Sequence, residues 1–194
     1  MIPKRKKNKQ KKDFEALALL VNKNFPDHPG VTEHFQWPTT RSEYLKEIDF
    51  FVQNYLDNFG PYQDAISTRD PFLFHSLLSP GLNMGLITPF DVIEKIKLIK
   101  NKPLSSVEGF VRQLIGWREF VKGIYDNYQE KMEESNHWNS SRVLKKCWWD
   151  GTTGLEPIDF VIQKCQQYGY AHHIERLMLF GNLSLTTGIN PQEL

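Results

Sequence analysis

His172, His173 and Arg176 are the residues of this chain whose types and spacing most directly ask for chemistry. They lie in the run Tyr170-Ala171-His172-His173-Ile174-Glu175-Arg176-Leu177-Met178, which otherwise reads as apolar helix. Polar and charged groups are costly to bury unless they are paired or put to use. For either imidazole alone, the ordinary reading is a core histidine held by one hydrogen bond. A metal site fits poorly, because neighbouring helical side chains diverge by roughly 100°. Zinc helices space their histidines at i and i+4, and Arg176 and Leu177 stand at those positions here. Helical spacing instead puts Arg176 on one face with the histidines. A fixed cation beside a tunable imidazole suits general-acid chemistry on an anionic or polar substrate.

Other stretches carry weaker signals. His75-Ser76-Leu77-Leu78-Ser79-Pro80 offers two hydroxyls and backbone amides near a helix start, the parts of a phosphate cradle, although serine-rich caps are common. Phe59-Gly60-Pro61-Tyr62-Gln63-Asp64 sets an aromatic and a carboxylate at what is ordinarily a turn. Trp148 and Trp149 read as packing residues, or as electron relays if a redox cofactor lies near. Cys147 and Cys165 show no CxxC spacing, so no metal or cluster site built by this chain alone is expected, and reduced thiols are the default.

The elements that would position these residues are helical nearly throughout. Apolar residues at helical spacing predict helices over 13–25, 41–59 (Tyr44, Leu45, Ile48, Phe51, Val52, Tyr55) and 90–100, the last opening after a Thr88-Pro89 cap. Residues 60–90 read as short pieces broken by Gly60-Pro61 and Ser79-Pro80-Gly81. Ser105-Ser106-Val107-Glu108 matches a capping box and opens a helix carrying Phe110, Leu114, Trp117 and Val121. Gly116 within that helix predicts a close approach by another backbone or a flat ligand. Residues 128–139 read as a polar loop. Pro157 starts a helix to about Tyr168, and Gly169 separates it from a last helix through Leu185.

The chain has 194 residues, 40% hydrophobic content and a net charge of +1, enough for one domain with a real core and without a global basic field. Basic residues from Lys4 to Lys12 crowd the start, and residues 1–12 read as a solvated, disordered arm or, more sharply, a phosphate-binding or targeting tail. No secretory signal or apolar run of membrane-spanning length occurs. The expectation is a cytoplasmic protein that does not enter a membrane.

Four segments in order carry a resemblance: residues 59–65 (Phe-Gly-Pro-Tyr-Gln-Asp-Ala), 74–80 (Phe-His-Ser-Leu-Leu-Ser-Pro), 107–120 (Val-Glu-Gly-Phe-Val-Arg-Gln-Leu-Ile-Gly-Trp-Arg-Glu-Phe) and 170–178. Together they resemble the photolyase/cryptochrome superfamily, and within it the bacterial branch related to (6-4) photolyases. The resemblance spans roughly residues 14–194. It implies an all-α, multi-helical FAD-binding domain over 13–194, of which this would be the N-terminal half, C-terminally incomplete. It further implies light-driven electron transfer from reduced FAD to a lesion in UV-damaged DNA. On this basis Tyr62, His75, Ser76, Leu77, Leu78 and Ser79 would hold the diphosphate and ribityl part of FAD. Arg112 and Gln113 would lie near flavin or lesion, and Trp117 would line the DNA side. His172 or His173, with Arg176, would supply the proton at the lesion, and Trp149 would belong to the flavin photoreduction chain.

The pattern breaks at Pro157, which stands where the branch has its first iron–sulfur cysteine; a cluster needs thiolates, so none is expected. Family members also carry a preceding α/β domain and continue beyond the position of Leu194, so a remainder supplied on another chain is one partner this implies. Two other readings stay open: a cryptochrome-like blue-light photoreceptor, and a non-catalytic helical module.

Overall fold

The computed structural model describes residues 2–5 and 12–194. Among them the fold is all-α, as expected, and a single isolated bridge joins Arg142 to Ile189. The helices are α1 (Lys12–Asn24), α2 (Arg41–Asn54), α3 (Leu56–Tyr62), α4 (Ser79–Asn83), α5 (Pro89–Lys97), α6 (Leu104–Val111), α7 (Arg118–Glu134), α8 (Cys147–Asp150), α9 (Glu156–Tyr168) and α10 (Leu183–Thr186). Two π-helical segments, Arg112–Trp117 and Glu175–Asn182, lead into α7 and α10. The described residues form two compact units. The first takes in those of Met1–Lys6 and Trp37–Ser135, the second those of Lys7–Gln36 and Asn136–Leu194.

The first unit is built around α2. Thr40 caps it through its side chain, and Glu43 returns the bond to the Thr40 backbone, a capping box that removes two orphan donors. Tyr44, Ile48, Phe51 and Val52 then fall on one buried stripe. The stripe meets an aromatic layer, with the Phe51 and Phe110 ring centroids 4.5 Å apart and Phe59 set edge-on to Phe110 at 5.4 Å. The helix predicted over 41–59 is broken at Tyr55 (φ −114°), which lets α3 turn toward α6 while both keep their apolar faces inward. α5 opens as predicted, with Thr88 as cap, Pro89 in the first turn and Asp91 completing a capping box. Arg41 grips the Asp91 carboxylate across the unit through both guanidinium ends (3.0 and 2.6 Å).

Several expectations are corrected. The Ser105–Glu108 capping box does not form: the helix begins at Leu104 behind Pro103, without a side-chain cap. Ser106 is buried instead, where its hydroxyl donates to the Asp57 carbonyl (3.1 Å) and accepts from the Gly60 amide (3.0 Å), tying α6 to α3. The polar stretch from 128 is no loop; α7 continues to Glu134, supported by i, i+4 pairs such as Lys122 with Asp126. Nothing in the described chain approaches Gly116: a Cβ there would meet no atom within 4 Å. The close approaches are at Gly60, against Ser106, and at Gly81, where a Cβ would lie 2.7 Å from the Tyr44 ring. Residues 2–5, predicted as part of a solvated arm, lie against the first unit, with the Tyr55 hydroxyl donating to the Pro3 carbonyl at 2.6 Å. Lys12 opens α1, and the rest of that arm lies outside the described residues.

In the second unit, α9 carries Pro157 in its first turn and ends at Gly169 in the left-handed region (φ +60°). Asp159 anchors its entry by accepting from the Thr153 and Gly154 amides (2.8 and 3.0 Å). Ile158, Val161 and Ile162 form the buried face.

Gly81→Ala is expected to lower the denaturant midpoint by about 1–3 kcal/mol of stability, because the fully buried Tyr44 ring must move. Gly116→Ala, in open space on a helix, is expected to raise it by up to ~1 kcal/mol. The Arg41 guanidinium and the Thr88 amide hold the Asp91 carboxyl well below its ordinary range. A carboxylate lowered on folding stabilises above its unfolded pKa and loses that contribution as pH falls. Asp91→Asn should therefore flatten the acid limb of a stability–pH curve measured from pH 7 downward.

Candidate functional site

In the first unit, the candidate residues gather on a loop with unusual backbone. Asp70 accepts from the amides of Phe72 (2.8 Å) and Leu73 (2.7 Å), turning the chain at Leu73 (φ +45°). His75 follows, its Nδ1 2.9 Å from the Phe72 carbonyl and its Nε2 3.0 Å from the Gln63 carbonyl, so the ring joins the loop to the end of α3. Leu77 is left-handed (φ +58°), whereas Leu78 is right-handed (φ −86°, ψ −11°). Adjacent residues of opposite hand gather successive N–H groups into a concavity that suits anions. Among the described residues, no protein acceptor takes the amides of Ser76, Leu77, Leu78 or Ser79. The Leu77 and Leu78 side chains are buried, so these two residues offer a ligand only backbone. Ser79 is exposed and Ser76 half-buried. α4 is a single short turn, so these amides are presented by the loop rather than by the end of a long helix.

Tyr62 is about half exposed and its ring leans on Phe74, centroids 5.3 Å apart. Arg112 and Gln113 open the π segment Arg112–Trp117. Arg112 is exposed and paired with Glu108 (3.1 Å), and Gln113 is half-buried. Trp117 is exposed and set edge-on to Phe120 at 5.6 Å. A π turn inserts one residue and re-aims the side chains around it, a feature frequent at functional sites.

In the second unit the histidine run is placed differently from its prediction. The helix begins only at His173, and Glu175–Asn182 is π-helical, so His172 precedes the helix rather than lying on it. The predicted shared face is therefore not formed: His172 is buried, His173 half-buried and Arg176 exposed. The His172 amide donates to Glu175 Oε2 (3.0 Å), and its ring Nε2 is 3.5 Å from Oε1. Glu175, buried to 1% exposure, takes the Lys164 ammonium in an ion pair whose lysine is just as deep. Lys164 also faces the Tyr170 ring at 5.3 Å. Two opposite charges and an imidazole are thus buried side by side. Burial pushes the nearby Cys165 thiol above its ordinary value, opposed by Lys164 and Arg176, which keeps it protonated and unreactive. Trp149 is exposed, and the Trp148 ring meets Phe180 at 6.0 Å.

Sequence reasoning missed Lys164, Glu175, Asp70 and Arg5. Lys164 was signalled by its place three residues after Val161, on the buried face of α9; Glu175 stood within the histidine run itself. Among the described residues, no helix is long and apolar enough to cross a membrane.

No family model matches the chain. Over 175 residues, 89% of the chain, it is 39% identical to a (6-4) photolyase of Agrobacterium fabrum. Over 166 residues it is 25% identical to a deoxyribodipyrimidine photo-lyase of the same organism. An uncharacterized protein, R853, of Acanthamoeba polyphaga mimivirus is 43% identical over 112 residues. These matches relate the chain to the photolyase/cryptochrome family, and its all-helical build agrees with that family's helical domain. The chain spans 34% of the length of each Agrobacterium relative, and its match covers 85% of the viral one.

Glu175→Gln would remove the carboxylate that faces the buried Lys164 ammonium, and is expected to cost about 3–5 kcal/mol in denaturant unfolding. The pair replacement Lys164→Met with Glu175→Leu should recover most of that loss.

Proposed function

We propose that the chain is the flavin-holding part of a light-driven DNA repair protein of the (6-4) photolyase type. The observation that carries this reading is the 39% identity to a (6-4) photolyase over 89% of the chain, against 25% to a deoxyribodipyrimidine photo-lyase. The site chemistry fits an FAD diphosphate. The amides of Ser76–Ser79 lack protein acceptors, the Leu77–Leu78 turn gathers them, and Ser76 and Ser79 add hydroxyls. When bound, FAD would supply the electron for breaking the lesion's bond.

The chain's own residues then divide the remaining work. The 76–79 loop binds the diphosphate, with Tyr62 beside it. Arg112 and Gln113 offer a charge and an amide to flavin or lesion, and Trp117 an exposed ring for the DNA side. His173, half-buried, and Arg176, exposed, are able to reach a substrate. His172, interior and beside Glu175, braces the start of their helix. Proton donation from His173 is the role this geometry favours. Trp149 is an exposed ring suited to passing electrons to the flavin. The expected lack of an iron–sulfur cluster rests on Pro157, a residue without a thiolate at the exposed start of α9.

The purified chain should take up FAD, seen as flavin absorbance in the blue and near-UV, and should bind UV-irradiated duplex DNA more tightly than undamaged duplex. Folded protein that takes up no FAD and shows no preference for irradiated DNA would contradict the proposal. Flavin uptake with no lesion preference would point to a photoreceptor instead.

A further inference from the structure

One residue of the basic start is not part of a solvated arm. Arg5 is 15% exposed and meets five residues of the first unit. Its guanidinium donates to the carbonyls of His75 and Ser76, the latter at 3.2 Å. It pairs with Glu47 at 3.2 Å. It also lies over the Tyr55 ring at 4.9 Å and near the Phe50 ring at 5.8 Å. A planar fork with five donors suits this bridging of two carbonyls and a carboxylate.

The consequence follows from peptide geometry. In a trans peptide the C=O and N–H of one unit point in opposite directions, and the chain contains no cis bond among its described residues. With the His75 and Ser76 carbonyls turned toward Arg5, the Ser76 and Leu77 amides must point away from it. These are the first two of the amides that no protein acceptor takes. The clamp also acts just before Leu77, whose left-handed backbone is unfavourable for a branched residue by about 1–2 kcal/mol.

We infer that Arg5 is a positioning residue for the flavin diphosphate: it holds the 75–77 backbone so that its amides face outward to receive an anion. The inference rests on the FAD reading above. Arg5 touches no ligand; it acts through the loop. The start of the chain is thereby part of the cofactor site, and nucleotide affinity depends on its being docked.

The test compares the 194-residue chain with Arg5→Met, which removes the fork, and Arg5→Lys, which keeps the charge opposite Glu47 but cannot bridge both carbonyls. The first readout is backbone 15N order parameters of Ser76–Leu78 without ligand. The parent should be rigid, near about 0.85, and both variants should fall below about 0.6 there, with α2 and α5 unchanged. The second is affinity for FAD and for riboflavin, which has no phosphate. FAD should weaken about tenfold or more in both variants, as expected for lost charge-assisted hydrogen bonds, while riboflavin stays within about twofold. Unchanged order parameters in the loop would overturn the inference. So would equal losses for FAD and riboflavin, because that pattern reports general destabilisation. If the parent chain takes up no FAD, the functional reading fails, and the order parameters alone decide whether Arg5 holds the loop.

Discussion

The first unit's candidate site depends on a backbone path that its own residues would not choose. Leu73 and Leu77 both adopt positive φ, a region that costs an ordinary side chain about 1–3 kcal/mol and persists only when its surroundings over-determine it. The surroundings do so from three sides. Asp70 takes two amides at the first turn, His75 spans to the Gln63 carbonyl, and Arg5 takes the carbonyls before the second turn. Leu77 and Leu78 drive the same path by burying their side chains in the core, which leaves only backbone and the flanking serines facing outward. The strained backbone of this loop is therefore a product of core packing below it and charge pinning beside it.

The second unit solves a different problem. Glu175 takes the Lys164 ammonium and the His172 amide, so a single carboxylate stabilises an interior charge and starts a helix. Buried ion pairs contribute little net stability, yet breaking one is expensive. That asymmetry favours their use as registers. Here Glu175 stands at the first residue of the π-helical segment and accepts from the His172 amide, with His172 buried, His173 half-buried and Arg176 exposed.

Much of the fold was legible in the sequence where local signals and tertiary demands agree. Thr88-Pro89 opened α5 as predicted, and Pro157 and Gly169 bounded α9. The failures share one cause. Ser106 matched a capping pattern, but its hydroxyl serves as a bridge between α3 and α6, a use with no local signature. Tyr55 continues the apolar stripe of α2, so the break there is invisible in periodicity and is set by packing against Phe50 and Phe74. The His172–Arg176 face was inferred from regular helical spacing, which the late helix start and the π turn invalidate. Arg5 stood among six other basic residues between positions 4 and 12, and nothing local in the sequence marks it as a cation that docks. The 75–79 stretch stood out by its residue types, but that Leu77 and Leu78 bury their side chains and turn only backbone outward is a matter of packing that no local pattern shows.

The most direct test of this account is a 1H–15N correlation spectrum of the chain titrated with FAD. The account predicts that the largest amide shifts fall at Ser76–Ser79, with smaller ones at Tyr62, Arg112 and Gln113. FAD binding with shifts concentrated elsewhere, and none in the 76–79 loop, would contradict it.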